Sequence, residues 1–295
     1  MRTEWAHGWW SIASATPHPS LRSAVVGDYV GWTEQSDVVL RRREIASTIV
    51  PLIINLGPSY RLFSGADDAR GDSVSGVERS SFVAGLYDTW AAVEGATTSC
   101  VLQVNLTPFA AFQLLRTPLS LLHNGSVEFT ALLGREGAML IEQLGNAVEW
   151  PARFALLDAF LRVRMTNAPT VPAEVVWCWD ALKSSRGRIP IAELVASTKW
   201  SPRRLINAFR LYAGLPPRTI AGLNRFEHAV GALNAQPSMA GRWSALALDC
   251  GYADQSHLIR DFTRFAGCTP TAYLRGCLAT GGGVVALDAT KSFKT

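Results

Sequence analysis

Residues 243–267 read WSALALDCGYADQSHLIRDFTRFAG. The spacing predicts a short helix over Trp243–Cys250, a tight turn, and a second helix over Gln255–Phe265. Gly251 stands where the turn needs φ > 0, and Ala247 is small where the two helices approach closely. Asp254 is placed to cap the second helix by accepting from a free N–H of its first turn. Leu258 and Phe262, four residues apart, share one face and pack against the preceding helix. The opposite face, with Gln255, Ser256, Ile259 and Arg260, is left for solvent or a partner. This is the layout of a helix-turn-helix, whose second helix enters the major groove of DNA.

The same pattern occurs upstream, in IAELVASTKWSPRRLINAFRLYAG over residues 191–214. Pro190 opens a short helix through Ser197, Ser201-Pro202 opens the next, and Gly214 ends it. Leu205 and Phe209 repeat the Leu/Phe pair. Val195 replaces the small residue, and Lys199 replaces the glycine at a cost on the order of 1 kcal/mol. Ile220, Leu223, Phe226, Val230 and Leu233 mark a longer helix over Pro217–Asn234 that joins the two copies, and Glu174–Ser184 forms a further helix before them.

Gly251-Tyr252, Ser256-His257-Leu258, Arg260-Asp261-Phe262, Gly267 and Thr269-Pro270, followed by Tyr273, resemble the AraC/XylS family of bacterial transcription regulators. The resemblance covers residues 173–276. It implies an all-α seven-helix unit with two helix-turn-helix motifs, whose recognition helices lie in successive major grooves about 34 Å apart. It also implies double-stranded DNA and RNA polymerase as partners and an activator role. Five cysteines without a CxxC pair and an N-terminus without a signal-peptide core point to a reduced, cytoplasmic protein, and residues 1–165 offer neither the metal cluster nor the acid/base pair an enzyme would need. Some members carry an alkyl-acceptor cysteine in a Pro-Cys-His-Arg context, which none of Cys100, Cys178, Cys250, Cys268 and Cys277 has.

Within this frame Arg203 is placed to pair with guanine O6/N7 and Asn207 to read adenine. Arg204 and Arg210 are placed for phosphates, and Ile206 shares their outer face. On the second helix Gln255 and Ser256 are the base-reading candidates, and His257 faces the turn and a neighbouring phosphate. Arg260 either faces DNA or pairs with a carboxylate such as Asp249 or Asp261.

Working outward, residues 1–165 read as a β-rich domain with flanking helices, 166–172 as a linker with two prolines, and 277–295 as a flexible tail. Expected strands are Val38-Val39-Leu40, Thr48–Ile54 and Thr98–Val104, with a mobile loop over 64–80. Expected helices run from Pro108 to about Leu115, over 135–146, and from Trp150 through Met165. Short strands at this spacing suggest a barrel or sandwich, so the fold class is α+β in two domains. Val50–Leu56 followed by Pro58, and Ser81-Phe82-Val83-Ala84-Gly85, resemble the cupin-type sensory domains that precede such DNA-binding units. A small-molecule effector is the implied ligand, with Asn55, Tyr60, Phe82, Tyr87 and Trp90 as lining candidates.

Charge agrees with this division. Residues 1–170 hold 13 Lys+Arg against 16 Asp+Glu, while 171–295 hold 15 against 8. A basic C-terminal part beside an acidic N-terminal one suits a polyanion partner. No apolar run reaches the ~18 residues of a membrane helix, the histidines lack metal-ligand spacing, and no nucleotide-cofactor or hydrolase motif appears. Neither a cofactor nor a metal is expected. Two alternatives stay open: an effector-independent regulator whose N-terminal domain only dimerises, and a cupin-type enzyme with a DNA-binding tail. The candidate homodimer surface is the apolar stripe Phe154, Leu157, Leu161 of the 151–165 helix.

Overall fold

The strand Thr98–Leu106 sets the layers of the N-terminal part. Alternate residues of a strand point to opposite faces. Leu102, Val104 and Leu106 are fully buried in one cluster with helix residues such as Leu114 and Leu157. Val101, Gln103 and Asn105 point to the other side, toward a second sheet. The structure, a computed structural model, describes residues 2–5, 7–65, 76–236, 241–280 and 285–287.

The strands are β1 (Arg2–Trp5), β2 (Gly8–Ala15), β3 (Tyr29–Ser36), β4 (Arg41–Glu44), β5 (Val50–Asn55), β6 (Tyr60–Ser64), β7 (Val77–Arg79), β8 (Phe82–Ala84), β9 (Ala91–Glu94), β10 (Thr98–Leu106), β11 (Ser126–Glu128) and β12 (Val285–Leu287). All pairings are antiparallel. One sheet has the order β1-β2-β3-β10-β5-β8-β11, the other β12-β4-β9-β6-β7. Among the described residues no strand pairing joins the sheets, so the barrel or sandwich expectation resolves to two sheets facing one another. β5 reads as a nearly continuous apolar run because both its faces are covered.

Three helices cover the outer face of the larger sheet: α1 (Pro108–Leu115), α2 (Phe129–Asn146) and α3 (Trp150–Thr166). Thr107 caps α1 through a bond from the Ala110 N–H, with proline at the first helical position. On α3, Phe154, Leu157 and Leu161 are at most 5% exposed within this chain. That corrects the choice of this stripe as a dimer surface: it is spent on the protein's own core.

Three other expectations change. Val38-Val39-Leu40 is not a strand; the strand follows it, in Arg41–Glu44. The loop expected over 64–80 contains β7, and its residues 66–75 lie outside the described ones. In the tail expected to be flexible, β12 pairs with β4, Ala286 opposite Arg42. The pairing of β1 with β2 and of β2 with β3 was not foreseen.

Among the described residues the C-terminal unit has seven helices: α4 (Ala173–Ser184), α5 (Ile191–Thr198), α6 (Pro202–Ala213), α7 (Pro217–Ala235), α8 (Trp243–Asp249), α9 (Gln255–Ala266) and α10 (Pro270–Thr280). It docks on the N-terminal part at two places, and one apolar cluster runs through both. At the first, Phe112 of α1 meets Tyr212 of α6 edge-on at 4.8 Å, and Phe109 meets Trp179 at 5.3 Å. At the second, the Ala46 N–H donates to the Phe265 carbonyl (2.9 Å) and Arg43 to that of Gly267 (3.1 Å). There Arg264 also pairs with Asp88 at 2.6 Å.

Thr48 completes the second dock. Its N–H and hydroxyl both donate to the Glu227 carboxylate, at 2.6 and 2.9 Å. Burial pushes the Glu227 carboxyl above the usual range, and the Thr48 bonds and Lys183 pull it back only in part. A carboxyl with a raised folded-state pKa keeps its proton where the unfolded chain has lost it. Its contribution is therefore fully present below the unfolded pKa, about 4.3, and is lost as pH rises through the folded value. We expect Glu227→Gln, which removes this titration, to gain stability relative to the wild type as pH rises from about 4 to 7. Melting temperatures of both proteins across that range check it; a constant difference would exclude Glu227 as a source of pH dependence.

Candidate nucleic-acid interface

The two motifs owe their shape to four local devices each. In the first, Lys199 takes the left-handed conformation (φ +57°) at the end of α5, and Ser201 caps α6 by accepting from the Arg204 N–H at 3.2 Å. Leu205 and Phe209 are fully buried, and Gly214 closes the helix at φ +86°. In the second, Gly251 holds φ +77° and Asp254 accepts from the His257 N–H at 2.7 Å. Leu258 and Phe262 are fully buried, and Gly267 closes α9 at φ +68°. Lys199 thus occupies the conformation that Gly251 occupies in the other copy, as their alignment implies.

Between them α7 is the shared spine. Phe226 contacts Phe262 at 5.1 Å and Phe265 at 5.3 Å, and Phe262 meets Tyr273 of α10 at 5.5 Å. Arg225 donates to the Gly187 carbonyl (2.7 Å), and Arg188 to that of Asp249 at the end of α8. The second recognition helix is therefore held from behind by aromatic packing on α7 and α10, while the arginines tie α7 and α8 to the turn after α4.

The outer face of α6 is basic. Arg203, Arg204, Asn207 and Arg210 are exposed, and Ile206 is half-buried among them. Arg203, Asn207 and Arg210 stand at i, i+4 and i+7, which aligns them along one face. The Arg204 guanidinium lies over the Trp200 ring at 4.0 Å, which restricts it beside the helix N-terminus.

On α9, Ser256 and Arg260 are exposed. Gln255 is half-buried, its carbonyl accepting from the Ser244 hydroxyl at 3.0 Å. His257 stands edge-on to Tyr252 at 5.1 Å and lies 3.7 Å from Asp261. Arg260 donates to the Ser256 carbonyl of its own helix. Sequence reasoning passed over two exposed residues further along α9, Thr263 and Arg264. Arg264 is committed to Asp88. Burial would raise the Asp88 carboxyl, but the Asn124 bond and the Arg264 guanidinium hold it below the usual range.

Residues 194–276 match a family model described as a helix-turn-helix domain. The C-terminal unit is an AraC-type helix-turn-helix domain. A domain of this type is a DNA-binding element of transcription regulators. No curated protein matches the chain significantly. Similar solved structures include ToxT from Vibrio cholerae O395, 10% identical, aligned over 84% of this chain and 96% of that one with a TM-score of 0.42. A 1.65 Å structure of ToxT from Vibrio cholerae gives 10% identity, 91% and 98% coverage and a TM-score of 0.45. Wild-type ToxT from Vibrio cholerae strain SCE256 with an unsaturated fatty acid bound gives 10%, 88%, 96% and 0.44.

Ahead of the AraC-type domain, the facing sheets leave a cavity of about 360 Å³. Of the lining candidates read from sequence, Tyr60, Phe82 and Tyr87 line it. Burial raises both tyrosine hydroxyls, that of Tyr87 to about 12. Asn55 and Trp90 do not line it. The Asn55 side chain bonds to the Pro58 carbonyl and the Gly57 N–H and so closes the turn after β5. Trp90 faces the helical unit, with Arg43 over its ring at 4.4 Å and Gly267 against it. Trp32, Glu44, Gln103 and Asn105 also line the cavity. Gln103 and Asn105 had a readable signal: two amides at alternate positions in an otherwise apolar strand.

Proposed function

We propose that this protein is a transcription regulator that reads one DNA site with two recognition helices and answers to a small molecule held between its sheets. The observation that carries the DNA reading is the exposed Arg203–Asn207–Arg210 face on a helix buried on its other side through Leu205 and Phe209. Arg203 and Asn207 contact base edges, Arg204 and Arg210 contact phosphates, and Ile206 packs among them in the groove. On α9, Ser256 and Gln255 read bases, while His257 and Arg260 meet the backbone. Activation through contact with RNA polymerase follows from the family resemblance.

Control by a ligand is supported by the dual use of one chain segment. Ala46 and Ser47 line the cavity, while Ala46 and Thr48 hold Phe265 and Glu227 of the DNA-binding unit. A ligand that displaces this wall acts on α7 and α9 directly.

Binding of the full chain to promoter-region duplex, measured between 50 and 200 mM salt, tests the DNA reading. Three phosphate-directed arginines, Arg204, Arg210 and Arg260, give a slope of log K on log salt near −2.7, or roughly a 40-fold loss across that range. Binding that does not respond to salt would overturn it.

A further inference from the structure

The cavity between the sheets carries information about what fills it. Its walls are mainly aliphatic and aromatic, with Trp32, Phe82 and Tyr60 among them. Alanines 84, 91 and 92 leave the space open. Two charged residues line it, Arg42 and Glu44, which share a face of β4 because they stand two residues apart. The neighbours Arg41 and Arg43 point the other way, over the rings of Phe63 and Trp90.

The two charges differ in their partners. The Arg42 guanidinium is bonded to the Glu34 carboxylate at 2.5 Å, and Glu34 is buried. Its charge is already matched. Glu44 has no ion pair within 4.0 Å among the described residues, and its side chain is accessible. Its carboxylate is thus open to a partner from the cavity side, where it stands two residues from Arg42. A positive group placed against it would give it the opposite charge it lacks. An anion would have to displace Glu34 from Arg42 and sit beside a like charge.

Polar atoms of the wall agree. The Tyr60 residue is 6% exposed, and its hydroxyl lies beside Ser99 at the edge of the cavity lining. Gln103 donates to Asn105 at 2.8 Å, which leaves its own carbonyl oxygen to accept from a ligand. The electron-rich faces of Trp32, Tyr60 and Phe82 favour a cation and a flat body. The volume lies at the small end of the ~300–1,000 Å³ range of ligand pockets, which suits a molecule of one or two fused rings.

We propose that the cavity takes a small aromatic amine, its ammonium against Glu44 and its ring among Trp32, Tyr60 and Phe82. This rests on the reading of the cavity as an effector site. The test uses the full chain and matched pairs of probes that differ in charge: tryptamine against indole-3-propionate, and phenethylamine against 3-phenylpropionate. Calorimetric titration and melting temperature are read for each. The amines bind and raise the melting temperature with concentration, and the acids do so at least 10-fold more weakly. Glu44→Gln weakens the amines at least 10-fold and leaves salt-sensitive DNA binding of the unliganded protein unchanged. The proposal is overturned if the acids bind as well as the amines, if no amine binds, or if Glu44→Gln leaves amine affinity intact. The amine–acid contrast is read on the wild-type chain, so it decides the matter even if the variant does not fold. Loss of the DNA reading appears separately, as an absence of salt-sensitive DNA binding with or without probes.

Discussion

Phe226→Ala is expected to cost about 3–5 kcal/mol of stability, the range for removing a buried phenylalanine ring. Phe226 is fully buried at the middle of α7 and touches two rings of α9, Phe262 and Phe265. Phe262 in turn leans on Tyr273. Deleting the ring opens a cavity behind the second recognition helix, in a cluster that cannot close around it without moving α9 or α10. The expected fall in melting temperature is roughly 6–20 °C, at about 2–4 °C per kcal/mol for a chain of this size. DNA affinity should fall as well, because α9 loses the surface that fixes its orientation. Phe226→Leu, which keeps most of the volume, should recover the greater part of both losses. Calorimetric unfolding of the three proteins measures it, and a loss below about 1 kcal/mol for the alanine variant would show that the rings are not a packed unit.

This aromatic unit was legible in the sequence because helical period and caps are local signals. Leu205/Phe209 and Leu258/Phe262 at spacing four, Ser201 and Asp254 as caps, and Gly214 and Gly267 as stops each act within a few residues. The β part was less legible because its pairings are long-range. Val38-Val39-Leu40 has strand-like residues but no partner strand, whereas Arg41–Glu44, four charged residues, forms a strand between β9 and β12. Nothing local in that run shows that two of its arginines cover aromatic rings. Trp90 illustrates the same limit. An aromatic residue beside strand residues suggested a pocket wall, but its ring is claimed by Gly267, 177 positions away. Glu44 carries no signal in sequence at all, since its place in the cavity depends on how two sheets face each other.

The two ends of α6 make the sharpest demand on the DNA reading. Arg203 lies in its first turn, and Arg210 lies two turns later on the same face. The C-terminal end of the helix is held against the N-terminal part, where Tyr212 meets Phe112 and Gly214 lies against Leu119. The end left free to enter a groove is therefore the N-terminal one, which carries Arg203 and the cap. Arg203→Ala should cost about 1–3 kcal/mol on the specific site, a loss of roughly 5- to 150-fold, and relax preference at one base pair. Arg210→Ala should weaken specific and non-specific sites alike and reduce the magnitude of the salt slope by about one. Both arginines are exposed, so neither change should alter folding. Selection of binding sites from a random pool with each variant separates the two roles. If Arg210→Ala changes the selected sequence while Arg203→Ala lowers affinity uniformly, then α6 enters the groove by its other end, and its contact with α1 must break before the protein binds DNA.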